Sequence, residues 1–478
     1  MLFNSIHFLF FLPVVFLLYW FVVQKNLKHQ NLLMLAASYF FYACWDVRFL
    51  FLLMFSTLLD YYTGLKMEDA PDNKKKKFWL WLSIIINLGF LGVFKYYDFF
   101  AVSFAEAMAS MGVTVQPATL NIILPVGISF YTFHGLSYVI DIYYSKIKAE
   151  RDFINYGLFV SFFPLLVAGP IERATHLLPQ IKQKRSFRFD KAINGLRQIL
   201  WGLFKKIVIA DNCAVLANEI FNSSDQASGS TLLLGAFFFT IQIYGDFSGY
   251  SDIALGTARL FGIELLRNFA FPYFSRDIAE FWRRWHISLS SWFRDYLYIP
   301  LGGSKGSLWK KIRNTFIIFL VSGFWHGANW TFIVWGLVNA LYFMPLLIRQ
   351  SNRNNLEMVA QGKTLPNIRE CFQMLVTFLL TMLAWIFFRS ESLTQAFHII
   401  GAIFSTSVFL KPIETPLFLY VLILFFFVVE WTGRSHRFAI EYLWENKPRL
   451  FRWSFYYVLM IMMFLYGGKH EQFIYFQF

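Results

Sequence analysis

Charge is scarce in this 478-residue chain: 15% of its residues are Asp, Glu, Lys or Arg, while 57% are hydrophobic and 21% aromatic. A soluble protein of this length carries about a quarter charged residues and usually divides into two or three domains. The polar side chains here are too few to coat a water-soluble body, so lipid must be the solvent for most of the surface. Cysteine is nearly absent as well. Cys44, Cys213 and Cys371 stand far apart with no C-x-x-C spacing, which argues against both a disulfide scaffold and a thiolate metal site. No G-x-S-x-G elbow, Walker loop, H-E-x-x-H pair or dinucleotide fingerprint occurs; nucleotide-driven transport is therefore not expected, and neither a bound metal nor a tightly held cofactor is indicated. The apolar run 8–23 lacks a basic flank and a small-residue cleavage site, so a retained first span is expected rather than a signal peptide.

What is present is apolar length and basic loops. The formal charge is +14, from 43 Lys and Arg against 29 Asp and Glu. In a soluble protein that excess would raise the question of nucleic acid. Here the basic residues cluster in short segments between apolar runs, at 66–77, 146–151, 182–191 and 305–313. That is the pattern of cytoplasmic loops touching lipid headgroups, and no nucleic-acid partner is expected.

A helix needs about 20 mostly apolar residues to cross the hydrocarbon layer. Clear candidates are 2–23, 78–94, 153–171, 314–348 as two spans, 371–388, 416–429 and 453–468; less clean ones are 31–45, 49–62, 122–140, 198–210, 231–244 and 392–410. The expectation is an all-α polytopic membrane protein with roughly ten to thirteen membrane segments, some of them re-entrant or interfacial. No repeat or soluble appended segment is visible, so residues 1–478 read as one membrane domain. The stretch 271–311 differs from its neighbours in being dense in charge, Trp and Tyr at once. At helical spacing Phe281, Trp285, Leu289, Trp292 and Tyr296 share one face, Glu280 can pair with Arg283 or Arg284, and Pro300, Gly302 and Gly303 end the run. This predicts one interfacial helix.

His326 lies in 314–348, which contains no Asp, Glu, Lys or Arg. A titratable ring at membrane depth must face the bundle interior or a water-filled path, and neutral imidazole is the form that accepts a proton. Ser322, Gly323, Gly327 and Ala328 around it would let a helix or a thin acyl chain approach the backbone. Two readings fit: a base in a narrow tunnel, or a ring hydrogen-bonded across helices. For His134, within 125–141, the cross-helix role is favoured. His286 follows Arg283, Arg284 and Trp285, where the interfacial helix would meet a cavity; the arginines suit either a phosphate-bearing donor or lipid headgroups. Asp246 closes a long apolar run, placed to orient a catalytic group or to cap a helix.

The string FWRRWHISLSSWFRDYLYIPLGGS, followed by FWHGANWTFIVWG, resembles the signature of bacterial membrane-bound O-acyltransferases. The likeness extends to the opening MLFNSIHFLFFLP, to LPVGISFYTFHGLSYVIDIY, VAGPIERATHLLPQI and YGDFSGYSDIALG, and to the closing FIYFQF, and so covers nearly the whole chain. It implies a ring-like bundle around a central funnel, with His326 catalytic deep inside and His286 as a second functional histidine. Arg283, Arg284, Trp325, Asn329 and Asp246 are placed along the substrate path. The resemblance further implies a cytoplasmic acyl thioester donor, most simply acetyl-CoA. The acceptor would be an extracytoplasmic polysaccharide, reached directly or through a partner acyltransferase, and the location the bacterial inner membrane. A transporter or flippase, and a scaffold for an exopolysaccharide-modifying complex, are the rival classes.

Overall fold

The structure is a computed structural model that describes residues 1–167, 169–467 and 471–474. Ala168, Gly468 at the end of the last candidate span, and the final four residues of FIYFQF lie outside the described residues. Every regular element among the described residues is helical. The chain forms two compact units, one of Met1–Ala192 with Thr257–Leu266, the other of Ile193–Gly256 with Arg267–Phe478. Among the described residues four helices are long and apolar enough to cross a membrane: Asn73–Ser110, Gly229–Leu260, Trp330–Ile348 and Ile368–Arg389. Shorter apolar helices occupy Ile6–Val22, Phe153–Leu166, Leu393–Ile403 and Leu417–Thr432.

In the first unit the helix starts follow from capping. Asn26, Asp46, Asp72 and Asp152 each turn a side-chain oxygen to a backbone N–H of the helix that follows, worth about 1 kcal/mol apiece. The run predicted over 122–140 starts helically only at Ile128. Gly127 before it has φ 74°, and a side chain there would meet the Leu166 carbonyl oxygen at 2.2 Å. The run predicted over 153–171 breaks at Phe162 into Phe153–Ser161 and Phe163–Leu166, with Pro164 opening the second piece. Polar groups in the interior satisfy one another. The buried carboxylate of Asp60 accepts from Ser83 Oγ at 2.6 Å and Asn87 Nδ2 at 2.8 Å, which lowers the cost of a carboxyl group at this depth.

In the second unit small residues set the helix crossings. A Cβ on Gly202 would lie 2.6 Å from the Gly249 carbonyl oxygen, and one on Gly256 would lie 2.5 Å from that of Gly195. Each helix thus presents two glycines seven residues apart to the other, and the backbones touch. The run predicted to close at Tyr244 continues as one helix, Gly229–Leu260, through Asp246 and Asp252. Asp246 therefore caps nothing. The acidic groups are tolerated inside the helix because lysines neutralise them: Lys206 Nζ stands 2.8 Å from both Asp211 and Asp246, and Lys205 Nζ 2.6 Å from Asp252.

One pH effect follows in the first unit. His176, on the short helix Ala174–Ile181, contacts the buried Glu172 carboxylate at 2.8 Å, and that bond raises the histidine above its ordinary value of 6.5. A raised folded-state value stabilises the fold fully below the unfolded value and is lost as pH rises through the folded one. The unfolding temperature in detergent should therefore fall as pH climbs from about 6.5, and His176→Gln should remove that portion of the slope.

Candidate functional site

The predicted interfacial helix over 281–296 is interrupted. Ile278–Arg284 ends at Trp285, in extended backbone, and His286 adopts the left-handed conformation, φ 43°, before Ile287–Phe293 begins. A non-glycine residue there costs about 1–2 kcal/mol. The joint is held by the segment 268–270 alongside: Ile287 N–H donates to the Asn268 carbonyl and Ala270 N–H to that of Arg284, both at 2.9 Å. Ser288 Oγ adds a bond to Asn268 Oδ1 at 2.6 Å. A regular helix would carry His286 round with its turn; the break instead points its ring into the unit, where it is 1% exposed.

His326 is the last residue of Leu308–His326. That helix packs against Trp330–Ile348 through Gly323 and Gly336, whose hypothetical Cβ atoms would lie 2.3 Å from the carbonyl oxygens of Phe332 and Phe319. The two imidazole rings come together, centroids 6.3 Å apart and planes inclined by 51°. Both are framed by aromatic edges: Trp335 stands 5.2 Å and Phe388 5.3 Å from His326, and Phe247 4.6 Å from His286. A cavity of about 750 Å³ reaches both rings, a size within the range of small-molecule and cofactor sites. Its buried end is formed by His286, His326, Phe319 and Ser322, and toward solvent it carries the exposed Arg353, the half-buried Lys311 and the exposed Arg294, which pairs with Asp295 at 2.8 Å. Two imidazoles at the closed end and three cations at the open end suit an anionic molecule whose reactive atom is brought to a base.

Residues 143–387 match the membrane-bound O-acyltransferase family. Among curated proteins the chain is similar to the probable alginate O-acetylase of Pseudomonas aeruginosa, 41% identical over 85% of this chain and 75% of that protein. It is also similar to the peptidoglycan O-acetyltransferase of Helicobacter pylori, 38% identical over 84% of this chain and 79% of that one. The teichoic acid D-alanyltransferase of Bacillus subtilis is a more distant relative, 29% identical over 46% of this chain and 58% of its own. The chain belongs to the membrane-bound O-acyltransferase family. It is an acyltransferase, and the apolar helices described above are those of a membrane protein.

Within this acyltransferase the remaining residues singled out from the sequence lie apart from the paired imidazoles or beside them. Trp325 is buried, its ring centroid 5.0 Å from that of His326. Asn329 caps Trp330–Ile348, accepting from Thr331 N–H at 3.0 Å, and donates to the Glu391 carbonyl at 2.9 Å. Arg283 and Arg284 do not line the cavity. Arg283 donates to the carbonyls of Asn352 and Asn355, and Arg284 to Ala270, Glu280 and Glu357. Asp246 pairs with Lys206 and accepts from Ile474 N–H at 2.7 Å. His134, in the first unit, accepts from Glu172 N–H at 3.1 Å, a cross-element bond.

The cations at the open end and the aromatic frame were not singled out in the sequence. Lys311 sits in a basic loop cluster and Trp335 inside FWHGANWTFIVWG, so both were in view. Arg353 and Phe388 carry no local signal and are brought in by the fold. Because Asn329 braces two elements, Asn329→Ala should lower stability by about 1 kcal/mol. Asn329→Asp, which keeps the cap, should lose less, as read by thermal unfolding in detergent.

Proposed function

We propose that the protein moves an acetyl group from a thioester, most simply acetyl-CoA, to a hydroxyl of an extracytoplasmic polysaccharide, directly or through a partner acyltransferase. The observation that carries this is the meeting of His286 and His326 at the buried end of a cavity whose open end is basic. Acyl transfer needs a base for the incoming hydroxyl, a donor carbonyl held near it and an exit for the thiolate. The acetylase names of the relatives that cover most of the chain favour acetyl and a polysaccharide acceptor.

In this mechanism His326 takes the acceptor's proton as the oxygen attacks the thioester carbonyl. The C–S bond then breaks, the new ester forms, and the imidazolium returns its proton to the departing thiolate. His286, across the 6.3 Å gap, orients the acceptor or the carbonyl by hydrogen bonding. A variant with a transient acyl-imidazole on His326 uses the same groups. Lys311 belongs to the basic segment 305–313, which the positive-inside rule assigns to the cytoplasm. The cavity is then the donor's entrance, and the acceptor approaches from the other side. Arg294, Lys311 and Arg353 match the phosphates of a CoA-type donor.

His326→Ala and His326→Gln, purified in detergent at wild-type yield, should lose at least about a hundredfold in thioester consumption and in acetylation of the acceptor. Acetylation that survives in these variants would point to a scaffold. Export without any thioester consumption by the wild type would point to a transporter.

A further inference from the structure

Residues 350–357 run between helices with no helical hydrogen-bond ladder; beyond turn bonds such as those from Ser351 N–H to the Leu346 carbonyl and from Asn354 N–H to that of Ser351, side chains fix their course. Arg283 does so from behind. Its two terminal nitrogens donate to the carbonyls of Asn352 and Asn355, each at 2.7 Å, and those carbonyls flank Arg353 at the open end of the cavity. The neighbouring bonds hold the same segment: Asn355 Nδ2 donates to Asp277 Oδ2 at 2.6 Å, and Arg276 donates to the Glu357 carbonyl at 2.5 Å. Glu280 in turn takes Arg276 at 3.1 Å and Arg284 at 2.8 Å, keeping these guanidinium groups in register.

We propose that Arg283 is a positioning residue: its guanidinium fork clamps the two carbonyls around Arg353 and so holds that cation where it selects a phosphate-bearing thioester over an uncharged one. The inference rests on the thioester reading above. A planar fork bridges two carbonyls in one geometry, which a lysine ammonium cannot reproduce. A fixed Arg353 meets an anionic donor without first losing the freedom of a loose strand.

The test uses the full chain in lipid nanodiscs, with acetyl-CoA and with the S-acetyl derivative of N-acetylcysteamine, a thioester that ends without phosphate. Wild type, Arg283→Lys, Arg283→Ala, Arg353→Ala and the double alanine variant are compared by kcat and KM for each donor. Arg353→Ala should lower the kcat/KM preference for acetyl-CoA by about tenfold, mainly through KM. Arg283→Ala should lower the same preference by a similar factor, and Arg283→Lys by a smaller one. The double variant should fall no further than the lower single, because both changes remove one device. Equal losses of kcat with both thioesters, an unaltered preference or additive effects would overturn the clamp. Should Arg283→Ala fail to fold, Arg283→Lys decides by the same criterion. Turnover of neither thioester by the wild type would instead remove the thioester reading, and the clamp with it.

Discussion

A helix that ends inside an apolar bundle leaves its last side chain among its neighbours, and in this protein that side chain is His326. The position depends on a backbone-to-backbone crossing of Leu308–His326 with Trp330–Ile348, possible because Gly323 and Gly336 have no Cβ to keep them apart. Gly327 continues the constraint, since a Cβ there would lie 2.1 Å from the Phe332 ring. Widening this crossing would carry the imidazole away from His286 and from Trp335 together. The aromatic frame leaves little freedom for the ring, so the direction of its nitrogens is set by packing.

The second imidazole is positioned by a different means. His286 sits at a break between two short helices, in a conformation that costs energy and that the 268–270 segment holds by backbone bonds. Phe247, which flanks the His286 ring, comes from the interior of Gly229–Leu260. Phe473, buried in the last described segment, packs in turn on Tyr250 of that helix with centroids 4.2 Å apart. The buried end of the cavity is thus assembled from elements remote in the chain, while the cations nearer solvent come from the turn after Ile287–Phe293, from the helix that carries His326 and from the loop beyond Trp330–Ile348. A buried pair of imidazoles with cations nearer solvent follows from that arrangement.

The long apolar runs and the absence of charge around His326 are local properties, and they made the helices and the deep histidine legible from the residues alone. The family was legible for the same reason, because its motifs are contiguous strings. The break at His286 was not. The spacing of Phe281, Trp285, Leu289, Trp292 and Tyr296 is as good a helical face as any in the chain, and only bonds from a separate segment override it. Arg283 and Arg284 looked like donor-binding residues because two adjacent arginines near a histidine carry no mark of where their side chains go. Arg283 binds backbone carbonyls some seventy positions away, and Arg284 adds the carbonyls of Ala270 and Glu357 to its expected pairing with Glu280; carbonyls leave no trace in a sequence pattern.

By itself, then, the sequence determined that this chain lives in lipid, that it is helical, that it belongs to an acyltransferase family and that an uncharged stretch holds a titratable ring, since these follow from composition, periodicity and contiguous motifs. The tertiary structure alone decided which imidazoles meet, which cations line the way to them and which merely brace the wall. Those outcomes depend on distances between segments far apart in the chain, and close packing, ion pairing and backbone hydrogen bonds set such distances only once the helices are assembled.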